Sequence, residues 1–223
     1  MHGVQLIVLV STIIIALLSA ILAMFLSYNY AVVRKRSYLF WATGMWLFTF
    51  GVVLEIVFAF GVENLALNDI YLFVVAVLVE ALALGSVYLY KNAKIKLAYF
   101  SYSIIMAILN VVVLAYSNVG NIISNYVVYG PLPLGVVVAS SLATFPAAAV
   151  LIASAALGFA HGHSRKMLSI IAGTVVVSIA GTLYIAAYPE FLYYAEFIGI
   201  VLLWLGFFDF NSIGIGRKRK VRR

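Results

Sequence analysis

The sequence predicts an all-α integral membrane protein of seven transmembrane helices, with its N-terminus outside and its C-terminus in the cytoplasm. Three observations carry that expectation. Of the 223 residues, 66% are hydrophobic and 9% are charged, with mean hydropathy +1.15. A soluble domain carries about a quarter charged residues, so this composition cannot build a water-facing surface. Apolar runs of about 20 residues recur, the length that crosses a bilayer core at 1.5 Å rise per residue. Finally, the 14 Lys and Arg residues are clustered, and a seven-span ladder puts every cluster on one side.

The elements follow in order. Span 1 covers 4–33; MHGVQLIVLVSTIII lacks the basic n-region of a signal peptide, and the apolar run is too long for an h-region. Span 2, 38–60, starts after Arg34, Lys35 and Arg36, and span 3 covers 69–90. Span 4, 97–117, follows Lys91, Lys94 and Lys96. Span 5, 134–160, is entered through Pro131 and Pro133 and contains Pro146, so a kink or tilt is expected there. Span 6, 167–188, follows HGHSRK, and span 7 covers 190–209. All of these runs are too uniformly apolar for the alternating strands of a barrel, which leaves helix. One transmembrane domain, 1–216, is expected, followed by a basic cytoplasmic tail, 217–223.

The connections 61–68, 118–133 and 188–190 contain no Lys or Arg, so the positive-inside rule places the opposite, basic side in the cytoplasm. Tyr28, Tyr30, Trp41, Tyr88 and Tyr188 near span ends suit interfacial belts. Arg36–Gly51 overlays Lys166–Gly181, and Asp69–Gly85 has the acid-to-glycine spacing of Glu190–Gly206. A parallel 3+1+3 repeat with span 4 as connector is one reading of that pattern.

Three acids stand inside apolar stretches: Glu55, Glu80 and Glu196. Counting residues puts Glu80 at the midplane and the other two roughly 8–9 Å below the outer boundary. Each costs about 2.5–3.5 kcal/mol on insertion scales. Every Lys and Arg lies in an inner loop or the tail, so no internal cation reaches them. Each carboxyl is then hydrogen-bonded and neutral, faces a wet cavity, or holds a cation from outside. The competing expectation is that the acids are polar glue between helices. Asn110, Ser178 and Thr182 are the candidate polar partners, with Thr174 and Tyr184 beside them.

Gly135, Ala139, Ala143 and Ala147 form a small-residue stripe on span 5, fit for close helix packing within the bundle or against another subunit. The tail residues Arg217, Lys218, Arg219, Lys220, Arg222 and Arg223 are candidates for contact with anionic lipid headgroups at the cytoplasmic face. With no cysteine, disulfides and thiolate chemistry are excluded. Two histidines in HGHSRK without a third nearby ligand do not make a metal site, and neither metal nor cofactor is expected.

Seven spans with an outside N-terminus resemble the topology of microbial rhodopsins. That family needs a lysine in span 7 for retinal, and EFLYYAEFIGIVLLWLGFFDF has none. WATGMWLFTFGVVLE is loosely similar to seven-span sensor regions fused to kinases. No Ser/His/Asp grouping, HExxH or GxSG occurs in the membrane stretches, so no enzyme is expected. The leading expectation is a multi-pass protein, of the plasma membrane, that binds or translocates protons, cations or a small cationic solute. Glu80 would be the midplane site, with Glu55 and Glu196 as outer access groups. The alternatives are a non-catalytic subunit of a larger membrane complex and a membrane sensor module. The partners expected are the bilayer, anionic headgroups, and other membrane subunits or a homo-oligomer, with no nucleic acid.

Overall fold

The computed structural model describes residues 3–62, 64–124, 127–128, 132–162, 168–170, 172–173, 175–176 and 189–207. The elements are α1 (Gly3–Val33), α2 (Arg36–Ala59), α3 (Leu65–Val87), α4 (Ala93–Tyr116), β1 (Ile123–Ser124), β2 (Val127–Val128), α5 (Leu134–Gly162) and a final helix, α6 (Pro189–Phe207). They form a multi-pass helical bundle, as lipid demands: with no water to bond the backbone, a helix satisfies its own N–H and C=O groups.

Contacts at the helix ends fix the alternation of direction. Gln5 Nε2 donates to the Ala59 carbonyl at 3.0 Å, tying the start of α1 to the end of α2. Trp41 Nε1 donates to Ser86 Oγ at 3.4 Å, tying the start of α2 to the end of α3. Tyr90 OH donates to Ser154 Oγ at 3.3 Å, and Asn68 Nδ2 to the Gly120 carbonyl at 3.3 Å. Arg34–Arg36 and Lys91–Lys96 therefore share one end of the bundle, called here the basic end. α6 runs alongside α1, with Tyr193 packed on Val8, Leu9 and Ala59, and Phe207 against the Trp41 ring at 5.0 Å.

The span count differs from expectation. Among the described residues five helices, not seven, are long and apolar enough to cross a membrane: Val8–Val33, Arg36–Ala59, Leu65–Val87, Ala93–Tyr116 and Leu134–Ala160. The expected sixth span, 167–188, lies mostly outside the described residues. α6 covers the expected seventh, but its apolar stretch is Tyr193–Phe207. Hydropathy counts apolar runs over the whole sequence, whereas five helices among the described residues have the length and hydropathy needed to cross. The 3+1+3 repeat and the cytoplasmic C-terminus were read from the seven-span ladder and lose their basis with it.

Caps and turns place the helix ends. Asn64 accepts from Ala66 N at 2.9 Å at the start of α3, and Asn92 accepts from Lys94 N at 2.9 Å at the start of α4. Gly61, with φ +82°, takes the left-handed turn after α2 that a side chain would oppose. Asn92→Ala is expected to lower stability by about 1 kcal/mol, read as a shift in thermal unfolding midpoint in detergent.

Inside the bundle, hydroxyls bond locally or across one interface. Thr49 Oγ1 donates to Ser19 Oγ at 2.9 Å, and Trp46 Nε1 donates to Ser27 Oγ at 3.1 Å, linking α1 to α2. α2 and α3 cross closely at two glycines: a Cβ on Gly44 would lie 2.8 Å from the Leu82 side chain, and one on Gly85 would overlap the Trp41 indole. Of the small-residue stripe of α5, Ala139, Ala143 and Ala147 are buried in this chain's own interior, while Gly135 is exposed. Of residues 168–176, Ser169 Oγ donates to the Leu202 carbonyl at 2.7 Å, and a Cβ on Gly173 would lie 3.1 Å from the Gly199 carbonyl oxygen.

Pro146 sits within α5 and has no N–H, which leaves the carbonyl four residues earlier without its helical partner. That carbonyl belongs to Leu142, and the Tyr102 hydroxyl of α4 donates to it. The proline break is thus repaired from a neighbouring helix, as lipid-embedded breaks must be.

At the end opposite the basic one, the connection expected at 118–133 contains a short antiparallel pairing, Ile123 with Val128 and Ser124 with Val127. Ile122 and Val128 are fully buried against Leu54, Phe58, Tyr71 and Leu114. The described part of this connection therefore closes over the helix ends. α4 is the least buried of the five long helices, and Ile104, Ile105, Ile108, Val111 and Val112 form its outward apolar face.

Candidate functional site

A cavity of about 230 Å³ runs between α2, α3, α4, α5 and α6. Two carboxyls line it: Glu55 from α2 and Glu196 from α6. They are 141 positions apart in sequence (196 − 55) and reach one space because the N-terminal part of α6 lies beside the C-terminal end of α2. In a low-dielectric interior two such groups repel strongly when both are ionised.

Glu55 is 2% exposed and Glu196 is 9% exposed. Tyr71 OH of α3 donates to Glu55 Oε1 at 2.7 Å. Among the described residues Glu55 Oε2 and Glu196 Oε2 have no hydrogen-bond partner. A buried carboxyl oxygen left in that state carries a desolvation cost of about 1–3 kcal/mol or more, so these two atoms are where a donor or cation would gain most. Among the described residues no Lys or Arg reaches them; the described cations stand at Arg34–Arg36 and Lys91–Lys96.

Three other polar side chains on the wall bond to backbone carbonyls. Asn110 Nδ2 donates to the Met106 carbonyl at 2.9 Å and to the Ala139 carbonyl at 3.5 Å. Ser140 Oγ donates to the Val136 carbonyl at 2.7 Å, and Thr144 Oγ1 to the Ser140 carbonyl at 2.9 Å. Apolar side chains make up most of the surface, among them Met45, Phe48, Val75, Leu82 and Phe145.

Glu80 lies elsewhere. It is 3% exposed but does not line the cavity. Ser103 Oγ of α4 donates to its Oε2 at 2.7 Å, the Tyr99 ring stands beside it, and Oε1 has no partner. The structure therefore brings Glu55 and Glu196 together and separates Glu80 from both. Asn110 shares the cavity wall but bonds to backbone carbonyls. Ser178, Thr182, Thr174 and Tyr184 lie outside the described residues, as do Arg217, Lys218, Arg219, Lys220, Arg222 and Arg223. Among the described residues no group of three or more His, Cys, Asp or Glu converges on one point.

Two participants escaped the sequence reading. Tyr71 was passed over because a tyrosine near a span end reads as an interfacial anchor. Ser103 had a signal: with Asn110 and Leu114 it makes up the buried face of α4, and seven- and four-residue steps repeat one helix face. Tyr71→Phe removes the hydroxyl that donates to Glu55 Oε1 and is expected to cost about 1–3 kcal/mol. The check is the unfolding midpoint against wild type. No family model, curated protein or solved structure matches the chain.

Proposed function

We propose that this chain is a non-enzymatic protein that binds or translocates protons, cations or a small cationic solute through Glu55 and Glu196. One observation carries the reading: two carboxyls from helices far apart in sequence line a single cavity, each with an oxygen that no described residue bonds. Glu80 serves in this reading as an α3–α4 hydrogen bond to Ser103, not as the central site. The basic end, Arg34–Arg36 and Lys91–Lys96, meets anionic headgroups of the cytoplasmic leaflet of the plasma membrane in this reading.

The test is flux in proteoliposomes containing the purified chain, with imposed proton, sodium or organic-cation gradients. Wild type is expected to dissipate at least one of them. Glu55→Gln and Glu196→Gln are each expected to slow that flux by about ten-fold or more, the loss of roughly one charge-assisted contact. Glu80→Gln is expected to retain it. Flux that persists unchanged in both cavity variants would overturn the proposal.

A second reading, a non-catalytic subunit of a larger membrane complex, is favoured by the outward face of α4, which no other part of the described chain covers. Native mass spectrometry after gentle extraction distinguishes the two. A fixed ratio with other proteins supports the subunit, and a monomer or homo-oligomer supports the transporter.

A further inference from the structure

The shape and polarity of the cavity narrow the ligand beyond a cation in general. A single water needs about 10–15 Å³ of such space, and this cavity offers about 230 Å³. That is far more than a relayed proton or a bare metal ion requires. It is also below the roughly 300–1,000 Å³ of pockets that take drug-sized molecules. A small organic solute fits between those limits.

Polarity is graded along the bundle axis. Glu55 stands one turn from the end of α2, Tyr71 lies near the start of α3, and Glu196 near the start of α6, all toward the hairpin end. Leu82, Leu151 and Phe207 line the same cavity toward the basic end. From Tyr71 to Leu82 the wall extends about 16 Å along α3 at 1.5 Å per residue. The unpartnered carboxyl oxygens are thus at one end and hydrocarbon at the other. Phe48, Phe145 and Phe207 add aromatic faces that attract both apolar groups and cations. Among the described residues no Lys or Arg lines the cavity, so an anion would meet only repulsion.

We infer that the cavity takes a small amphiphilic organic cation, an alkylammonium-like molecule whose ammonium sits between Glu55 and Glu196 while its hydrocarbon body lies along Leu82 and Phe207. This rests on the cation-site reading above and deepens it. An ammonium donates to both free oxygens and relieves the repulsion between the two carboxylates. The apolar body displaces whatever water would otherwise wet a hydrocarbon wall. Neither a metal ion nor a proton would use the apolar length of the cavity.

The experiment is equilibrium dialysis of the full chain in detergent against radiolabelled n-hexylammonium, with n-hexanol and sodium chloride as competitors. Saturable binding is expected, weakened about ten-fold or more by Glu55→Gln and by Glu196→Gln. n-Hexanol at equal concentration is expected to compete poorly. Ala148→Leu, which adds bulk to the wall without touching either carboxyl, is expected to weaken binding as well. Gel filtration and far-ultraviolet circular dichroism confirm that each variant is folded. Equal competition by n-hexanol, or binding untouched by both Gln variants, would overturn the inference. Absent hexylammonium binding alongside proton or sodium flux that depends on Glu55 also overturns it, while leaving the broader cation-site reading standing. Absence of both rejects the two together.

Discussion

Gly85→Leu is expected to lose about 3 kcal/mol or more of stability, the largest effect of any single substitution considered. Even a Cβ at this position overlaps the Trp41 indole, backed by the Phe207 ring at 5.0 Å and bonded to Ser86 Oγ at 3.4 Å. The flexible-tip escape open to a surface side chain is closed to a ring held on three sides. Overpacking of a close-packed interior costs about 1–3 kcal/mol and more where backbone must move. Here α2 and α3 would have to separate along a crossing that Gly44 also makes tight. Gly120→Ala, where nothing lies within 4 Å of an added Cβ, is the matched control and is expected to be neutral. Tryptophan fluorescence during denaturation in mixed micelles reads both, and equal midpoints for Gly85→Leu and wild type would contradict the crossing.

Tyr102→Phe is expected to cost about 1–3 kcal/mol, because it strands the Leu142 carbonyl that Pro146 has already deprived of its helical donor. A mere packing defect would not couple Tyr102 to Pro146, whereas a compensating hydroxyl does. Pro146→Ala restores an N–H at the position that bonds Leu142, so Tyr102→Phe on that background is expected to be nearly neutral. The double-mutant cycle should therefore show a coupling of about 1 kcal/mol or more. Additive effects would mean the hydroxyl does not compensate for the proline.

The parts of this molecule that could be read from sequence are those set by local chemistry. The first five helices follow from apolar length bounded by Arg34–Arg36, Lys91–Lys96 and the prolines before Leu134. The caps at Asn64 and Asn92 and the break at Pro146 are likewise local signals. The buried acids announced themselves by residue type. What no local signal carries is rotation of one helix about its axis relative to another. Glu80 at the midplane looked central by depth, yet it points to Ser103 on α4 and away from the cavity. Glu55 and Glu196 line one cavity because α6 packs along α1, which itself packs on α2, an arrangement no spacing encodes. The closure of the 118–133 connection over the hairpin end was hidden for the same reason, since Ile122 and Val128 are buried only because Leu54 and Phe58 lie beneath them. Five helices among the described residues, not seven, have the length and hydropathy to cross.

The most direct test of the account is chemical labelling of the three glutamates with diisopropylcarbodiimide, a small apolar reagent that converts carboxyls in apolar surroundings to stable N-acylureas. Peptide mass spectrometry then reports which side chains face an accessible cavity. The account predicts modification of Glu55 and Glu196 and little modification of Glu80. Modification of Glu80 with Glu55 and Glu196 untouched would contradict it.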